Sequence, residues 1–307
     1  MRSELQLIER IRARARHSSA LALASGVVLG IGDDCAVFHP RGASEDLLFT
    51  TDLLVEDVHF RREMYRAPDV GWKALARGLS DIAAMGGEPR FCLVSLALAP
   101  WNDERWVDGF YRGLLQLAAR EKTPLAGGDL GRSAKTTCDI VVCGAAPRGK
   151  WLRRAGARDG DAIYVSGELG ASALGLESRK GAASRRHLRP EPRMALGQYL
   201  RSRLKATAAM DLSDGLSLDL HRLAKASGLS AEIEAPPIFR GATLAQALHG
   251  GEDYELLFTL SARRSAPERF EGLQLTRIGT MRKGRPGEVR MNGAVLDPRG
   301  YDHFRKS

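Results

Sequence analysis

Residues 68–87 read PDVGWKALARGLSDIAAMGG, and the large apolar side chains in this run recur at intervals of two to four positions. They are Val70, Trp72, Leu75, Leu79 and Ile82. This spacing places them on one face of a helix, which the proline opens and the paired glycines close. The run therefore predicts a helix over residues 68–85. Asp81 falls in its last turn, where the helix dipole disfavours a carboxylate by about 0.3–1 kcal/mol, so we expect a cation close to it.

Short apolar segments with strand character lie on both sides of this helix. In the first half of the chain they are 35–38, 46–51, 90–98, 124–126 and 138–145. A second helix is predicted over 102–122, where Asn102 is a good N-cap. Strands that alternate with helices are typical of α/β proteins. The sequence thus predicts an α/β domain over residues 1–148.

A polar stretch near 147–150 interrupts the alternation, and we place a domain boundary there. Beyond it the pattern predicts strands at 162–166, 206–210, 231–234, 254–260 and 275–279. The predicted helices are 168–178, 191–204 and 213–226, with a mobile loop over 178–189. Residues 149–307 are therefore predicted to form a second domain, and the fold class is α/β (α+β) with two domains.

Charge and composition narrow the range of partners. The 307 residues include 44% hydrophobic residues and carry a net charge of +9, which favours anionic partners such as nucleic acid, an acidic membrane surface or phosphorylated metabolites. The basic residues are dispersed and lack the interleaved aromatic residues that stack on bases, which argues against nucleic acid. The longest apolar run, 91–99, is far shorter than the roughly 20 residues of a membrane span, which argues against a transmembrane helix. We interpret the positive charge as a solvated basic surface and expect no membrane partner.

The cysteines and the N-terminal segment bear on the cellular compartment. The four cysteines form no C-x-x-C pair, so we interpret them as free thiols of a reducing compartment. No signal peptide opens the sequence, and Leu5, Ile8 and Ile11 keep helical spacing. We therefore expect a cytoplasmic protein that begins with an amphipathic helix.

Aspartates recur beside glycines or at the ends of predicted elements. The segments are GDD at 32–34, TTD at 50–52, SD at 80–81, GGD at 127–129 and DLSDG at 211–215. A single aspartate of this kind is often only a turn or N-cap residue. Together they supply the hard oxygen ligands that Mg²⁺ prefers, and Mg²⁺ commonly binds one or two carboxylates together with substrate phosphates. The set therefore favours a magnesium site.

Several of these motifs also allow a purely structural interpretation. The paired glycines before Asp129 let backbone N–H groups approach a phosphate, but they equally suit a tight turn. Ser213 and Asp214 open a predicted helix whose N-terminus can bind an anion, yet Ser213 can simply be its N-cap. His59 judged alone is a surface or packed histidine. Glu252 belongs either to a hairpin turn or to a substrate contact.

Motifs of other phosphate-handling and hydrolytic enzymes are missing. The sequence contains no P-loop, no protein-kinase catalytic loop and no G-x-S-x-G elbow. An enzyme that handles phosphates without them must neutralise the phosphates mainly through metal ions. The carboxylates described above are numerous enough to hold several such ions.

Eight motifs, taken in order, resemble the thiamine-monophosphate kinase family. They are GIGDDCAV (30–37), TTD (50–52), VHF (58–60), LSDIAAMG (79–86), GGD (127–129), MDLSDG (210–215), GGEDYE (250–255) and GYDHF (300–304). The resemblance spans nearly the whole chain. It implies the two-domain fold of aminoimidazole-ribonucleotide synthetase, with an N-terminal α/β domain whose sheet forms a homodimer and a C-terminal α/β domain beside it. It also implies a reaction in which ATP and thiamine monophosphate give ADP and thiamine diphosphate.

The same resemblance implies roles for individual residues. The implied magnesium ligands are Asp34, Thr50, Thr51, Asp52, Asp81, Asp129, Asp211 and Asp214, with Asp52, Asp129 and Asp214 assisting transfer. The implied ATP contacts are Tyr111, Gly128, Asp129, Arg154 and Ser213. The implied thiamine monophosphate contacts are His59, Glu252 and Tyr301. Two features depart from the family: Tyr301 stands where many members carry tryptophan, and the segment 236–249 is compact.

The implied chemistry is direct in-line phosphoryl transfer with several Mg²⁺ ions and no phospho-enzyme. The acceptor phosphate is already ionised near neutral pH, so no strong general base is needed. Three alternatives remain: another ATP-using member of the same superfamily, such as an aminoimidazole-ribonucleotide or selenophosphate synthetase; a basic nucleic-acid-binding protein; and a metal-binding scaffold without catalysis. A selenophosphate synthetase would carry a reactive cysteine or selenocysteine near its N-terminus, and this sequence has none there.

Overall fold

The computed structural model describes residues 4–15, 25–301 and 303–304. Asp302, which belongs to the last of the eight motifs, lies outside these residues. The chain begins with helix α1, Glu4–Ala15, in agreement with the predicted N-terminal helix. Two β-sheets and seven further α-helices follow among the described residues, which confirms the mixed α/β class.

The first sheet has six strands and carries two helices on one face. Its strands are β1 Val27–Leu29, β2 Ala36–Phe38, β3 Glu45–Val55, β4 Glu88–Leu98, β5 Leu125–Arg132 and β6 Thr137–Pro147, in the order β1-β2-β3-β6-β4-β5. The helices are α2 Ala67–Ala84 and α3 Glu104–Arg120. The long central pair β3 and β6 is antiparallel, while β5 runs parallel to β4 at one edge.

Helices α2 and α3 lie unusually close together because a glycine of each helix faces the backbone of the other. A Cβ atom added to Gly113 would meet the carbonyl oxygen of Pro68 at 1.8 Å, and one added to Gly71 would meet that of Phe110 at 1.9 Å. Both distances are far below van der Waals contact, so only glycine permits this backbone approach. The close contact presses α2 onto the sheet, where Leu75, Leu79 and Ile82 are fully buried.

The second sheet contains the remaining strands. They are β7 Ala162–Ser166, β8 Ala208–Asp211, β9 Ser230–Ile233, β10 Leu256–Leu260, β11 Arg269–Phe270, β12 Leu273–Arg282, β13 Val289–Met291 and β14 Ala294–Val295. The helices of this half are α4 Ala171–Ser178, α5 Gly181–Leu188, α6 Met194–Tyr199 with a π-turn over Leu200–Leu204, α7 Leu216–Ala226 and α8 Leu244–His249. The interior strands β7 and β10 and the edge strand β8 are buried on both faces.

Helix α2 joins the two halves. On its first turns, Trp72 Nε1 donates to the carbonyl of Pro190 at 2.9 Å. Near its end, Ser80 Oγ donates to Asp211 at 2.8 Å, and the Ala83 carbonyl lies 2.0 Å from where a Cβ of Gly197 would be. One face of α2 therefore packs on the first sheet, and the other faces elements of the second half.

Several element boundaries differ from the sequence prediction. The predicted mobile loop over 178–189 contains helix α5, Gly181–Leu188, so that prediction was wrong. Strand β3 continues to Val55, which places Asp52 inside a strand and not at its end. The GGD motif lies inside β5, Leu125–Arg132, and not in a turn after a short strand. Helix α7 begins at Leu216, so Ser213 and Asp214 lie before it.

None of the helices within the described ranges is long and apolar enough to cross a membrane. The proposed boundary between residues 148 and 149 falls between β6 and β7, in a segment without regular structure. The division into domains 1–148 and 149–307 remains a prediction.

Candidate active site

A cavity of about 310 Å³ opens between α2 and the loops that precede α7 and β10. It gathers most of the residues that the motifs had indicated. Those on its wall are Asp52, His59, Asp81, Asp211, Ser213, Asp214, Glu252 and Tyr301. These residues are up to 249 positions apart in sequence, since Asp52 lies on β3 and Tyr301 near the C-terminus.

Three carboxylates converge at one end of this cavity. One oxygen from each of Asp34, Asp81 and Asp211 lies within 4.8 Å of the other two. Asp34 comes from the turn before β2, Asp81 from the last turn of α2, and Asp211 from the end of β8. The cation that we expected beside Asp81 would therefore sit among three carboxylates from separate elements.

The groups that hydrogen-bond to these three carboxylates carry too little positive charge to balance the negative charge of the cluster. Thr50 Oγ1 donates to Asp81, Ser80 Oγ donates to Asp211 at 2.8 Å, and the Arg154 guanidinium donates to Asp34 at 2.5 and 3.1 Å. Burial and the neighbouring carboxylates raise the pKa of Asp81 and of Asp211 well above the ordinary value. Asp34 and Asp211 are buried and Asp81 is half-buried, and of the three only Asp34 has an arginine as a direct partner among the described residues.

The donor set fits a divalent cation of the magnesium type. All of the converging atoms are hard carboxylate oxygens, which Mg²⁺ and Ca²⁺ prefer over nitrogen or sulfur. The Asp34 Oδ2 atom is buried and has no hydrogen-bond partner among the described residues. A buried carboxylate oxygen without a partner is costly, and a bound cation would remove that cost. Asp34, Asp81 and Asp211 are the residues that would hold it.

Two arginines that form ion pairs flank the cluster. The Arg77 guanidinium on α2 donates to Asp52 at 2.9 Å and to the carbonyl of Leu53 at 3.0 Å. On the other side, Arg222 on α7 donates to Asp214 and pairs with Asp219 at 2.9 Å. Asp52 and Asp214 are therefore each held by an arginine and lie on the cavity wall.

The far end of the cavity is formed by His59, Glu252 and Tyr301. The Val55 N–H donates to His59 Nδ1 at 3.0 Å, and burial together with the nearby Arg77 lowers the pKa of His59 to about 3. The ring is therefore neutral at physiological pH and carries its proton on Nε2. Tyr301 is half-exposed at the cavity mouth and stacks edge-on against His303.

A second cavity of about 480 Å³ adjoins the first. Ser213 and Asp214 line both cavities. The second one is further lined by Gly32, by Arg154 and by Arg12 of helix α1. Because Arg154 binds Asp34 of the cluster, the carboxylates lie between the two cavities.

Four residues with predicted roles lie away from both cavities. Register across the sheet aligns Asp52 with Ile140, Val94 and Gly128, so Gly128 is three strands, or roughly 14 Å, from Asp52. Asp129 follows Gly128 and points to the opposite, exposed face of the sheet, as Thr51 does when it donates to Asp139 at 2.6 Å. Tyr111 packs edge-on against Phe110 on α3.

The roles predicted for these four residues remain predictions. A Cβ on Gly128 would meet the Val94 carbonyl at 1.8 Å. Close packing of β5 against β4 therefore also explains why glycine occupies this position. Strand β5, which carries Gly128 and Asp129, is exposed along almost its whole length.

Lys73 and Arg77 were not singled out from the sequence, although both belong to the site. The signal was present, because Lys73, Arg77 and Asp81 are spaced four residues apart and therefore share one face of α2. Sequence alone does not reveal which groups that face meets. His187 and Ser172, on α5 and α4, also line the cavity, and nothing in their sequence context indicated it.

Comparison with known proteins identifies the family of this chain. The family model described as AIR synthase related protein, N-terminal domain, matches residues 32–147, and the corresponding C-terminal domain model matches residues 158–292. The thiamine-monophosphate kinase of Bacillus subtilis (strain 168) is 35% identical over 98% of this chain and 99% of its own length. That of Escherichia coli (strain K12) is 38% identical over 98% of both chains.

Solved structures give the same result. AaThiL complexed with AMPPCP and TMP superposes with a TM-score of 0.85 at 35% identity and covers 99% of each chain. The hydrogenase maturation protein HypE in complex with ATP superposes with a TM-score of 0.65 at 17% identity, over 86% of each chain, which shows a shared fold alone. The two domain models and the near-full-length identities show that this chain belongs to the thiamine-monophosphate kinase family and has its two-domain AIR synthase related fold.

Proposed function

We propose that this protein is a kinase that transfers the γ-phosphoryl group of ATP to thiamine monophosphate and so forms thiamine diphosphate. The observation that carries the proposal is the cluster of Asp34, Asp81 and Asp211, whose oxygens lie within 4.8 Å of one another between two adjoining cavities. Two phosphate-bearing ligands would thus meet at a site built to hold divalent cations. The relatives named for this activity and the AaThiL complex support the same assignment.

We assign the two cavities to the two substrates. The larger one, with Arg154, Ser213 and Gly32 on its wall, suits the polyphosphate of ATP, because it offers a guanidinium and a glycine where the backbone is accessible. The smaller one, with His59, Glu252 and Tyr301, suits thiamine monophosphate. The phosphate of the acceptor would then point toward the carboxylate cluster.

Bound Mg²⁺ would neutralise phosphate charge and orient the reacting oxygens. Several ions are expected, because Asp34, Asp81 and Asp211 form one cluster while Asp52 and Asp214 lie on the wall close by. Arg77 and Arg222 hold these last two carboxylates in place. They also offset part of the negative charge around the site.

We propose direct in-line transfer without a phospho-enzyme. Phosphoryl transfer depends mainly on positioning and electrostatic stabilisation, and the acceptor is a phosphate oxygen that is already ionised near neutral pH. His59 does not serve as the general base in this scheme, because its Nδ1 atom already accepts the Val55 N–H. Its Nε2–H is suited to donate a hydrogen bond to the acceptor.

We also propose that the protein acts as a homodimer in the cytoplasm. Strand β5 is an exposed eight-residue edge of the first sheet, and unpaired edges of this length are usually covered in native proteins. Pairing along β5 with a second copy would cover it. It would also place Gly128 and Asp129 at the interface between the two copies. They could then have a functional role there, although they lie away from both cavities of a single chain.

One assay tests the assignment. Purified protein with Mg²⁺ and ATP is incubated with thiamine monophosphate, with thiamine, or with an aminoimidazole-ribonucleotide precursor, and the products are separated by chromatography. We expect thiamine diphosphate and ADP in equal amounts from thiamine monophosphate, and no product from the other two. Turnover of the precursor with none of thiamine monophosphate would show that the proposed substrate is wrong.

A further inference from the structure

Lys73 is a lysine with no solvent exposure, and it heads the largest fully buried side chains among the described residues. Its ammonium donates to Glu252 Oε2 at 2.8 Å, to the Tyr65 hydroxyl at 2.8 Å and to the His59 carbonyl at 3.5 Å. It also lies 5.2 Å from the centre of the Tyr65 ring. All three ammonium hydrogens are thus accounted for within the protein.

A buried ammonium of this kind requires a fixed counter-charge. Removing a charge from water costs several kcal/mol, and the cost is offset only by a well-placed partner of opposite charge. Glu252 is the only carboxylate paired with Lys73 among the described residues. Burial acts to raise the pKa of Glu252, but Lys73 and His187 outweigh it and hold that pKa below the ordinary value. Glu252 is therefore an anion on the cavity wall.

The surroundings of the pair restrict Glu252 further. Tyr65 OH contacts His187 Nε2 at 2.7 Å, and His187 Nδ1 contacts Ser172 Oγ at 2.8 Å. Glu252 itself has a left-handed backbone, with φ at 66°, and its N–H donates to the Ser213 carbonyl at 2.7 Å. Such a backbone is unfavourable for a residue with a Cβ and persists only where other contacts impose it. Glu252 is consequently held in one position.

Helix α2 sets the distance from this anion to the carboxylate cluster. Lys73 and Asp81 are eight residues apart on one face, which corresponds to roughly 12 Å along the helix. Asp81 belongs to the cluster, and Lys73 holds Glu252 at the other end of the cavity. Lys73 bonds only to Oε2, and no described residue donates a hydrogen bond to Oε1. That oxygen remains available to a ligand.

We propose that Lys73 is a positioning residue that fixes Glu252 at the end of the cavity opposite the metal cluster, where Glu252 selects the cationic, amino-bearing heterocyclic part of the phosphate acceptor. This inference rests on the proposed function and deepens it. Lys73 does not touch the substrate; it acts through Glu252. A ligand that carries only a phosphate group would gain nothing from the pair.

The test uses K73M, E252Q and the double variant K73M/E252Q, with K283M as a control because Lys283 is exposed and lies outside both cavities. Binding of thiamine monophosphate, AMPPCP and inorganic phosphate is measured by calorimetry in the presence of Mg²⁺. We expect K73M and E252Q each to weaken thiamine monophosphate binding by about 10- to 100-fold, the range for a lost hydrogen bond to a charged group. Binding of AMPPCP and phosphate should change less than about threefold.

The double variant distinguishes positioning through Glu252 from a purely structural role. If Lys73 acts through Glu252, K73M/E252Q binds thiamine monophosphate about as well as E252Q does, and it is more stable than K73M because no unpaired buried charge is left. Should K73M fail to fold, the thiamine monophosphate affinities of K73M/E252Q and E252Q still show whether Lys73 acts through Glu252. A double variant that binds thiamine monophosphate more than tenfold more weakly than E252Q overturns the inference, as does a folded K73M with wild-type affinity. Wild-type protein that does not bind thiamine monophosphate overturns the proposed function itself, and with it this inference.

Discussion

Replacing Asp81 by asparagine is expected to stabilise the metal-free protein while it removes activity. The oxygens of Asp34, Asp81 and Asp211 lie within 4.8 Å of one another, and two full charges at that distance repel by about 3.5 kcal/mol at an effective dielectric of 20. Burial and the neighbouring carboxylates raise the pKa of Asp81 and of Asp211, and protonation of either acid would relieve part of this repulsion. We therefore expect a net gain of about 1–2 kcal/mol at pH 8.

Asparagine suits this test because it is nearly the same size as aspartate and can still accept the hydrogen bond from Thr50 Oγ1. The free energy of unfolding is measured by urea titration at pH 8, once with EDTA and once with Mg²⁺. The wild type should gain about 2.7 kcal/mol at a Mg²⁺ concentration one hundred times its Kd, whereas D81N should gain much less. D108N is the matched control, since Asp108 is exposed on α3.

Two results would refute this reasoning. One is a metal-free D81N that is less stable than the wild type by more than about 1 kcal/mol, because the carboxylate would then be stabilising without a cation. The other is equal stabilisation of D81N and wild type by Mg²⁺, because the three carboxylates would then not form the metal site.

Three further predictions can be tested with single substitutions. D52N and D129N should each lose most of the kinase activity while the fold, monitored by far-UV circular dichroism, stays intact; near-normal turnover in both would contradict the proposed metal ligands. Burial and the nearby Lys73 lower the pKa of His187 to about 4 from 6.5. Between these two pH values the unfolded state binds a proton that the folded state does not, so the free energy of unfolding falls on acidification. Between pH 7 and pH 5, H187Q should therefore lose about 2 kcal/mol less of this free energy than the wild type does, and equal losses would show that His187 does not stay neutral. G113A should unfold at least about 2 kcal/mol more easily, because its Cβ would lie 1.8 Å from the Pro68 carbonyl; a wild-type midpoint would mean that α2 and α3 can separate freely.

The sequence predicted most regular elements because their periodicity is local. The helix over 68–85 is found as Ala67–Ala84, and the strand over 162–166 as Ala162–Ser166. Apolar residues at helical or alternating spacing report which face of an element is buried, and this information does not depend on the partner. The family resemblance added the order of the eight motifs, and that order was enough to predict the two-domain fold.

The failures arose where local composition and tertiary context disagree. Strand β5 contains three glycines and is almost fully exposed, so it lacks the alternation that identifies a strand, and it forms because β4 offers a parallel partner. Helix α5 was predicted as a loop because its sequence is polar and rich in Arg and Ser. His187 at the end of this helix is nevertheless buried against Tyr65. The secondary structure of such segments is determined by contacts with neighbouring elements and not by local propensity.

The sequence by itself determined most of the element types, the chemical kinds of the site residues and their order along the chain, since all of these follow from residue identity and spacing. Only the tertiary structure decided which carboxylates meet, because Asp34, Asp81 and Asp211 come from three elements whose approach depends on packing around α2. The same packing turns Lys73 toward Glu252, 179 residues away in sequence, and turns Asp129 to the other face of the first sheet. The physical reason is that charge–charge and metal–ligand interactions act over a few ångströms, and residues distant in sequence reach such distances only when the chain folds.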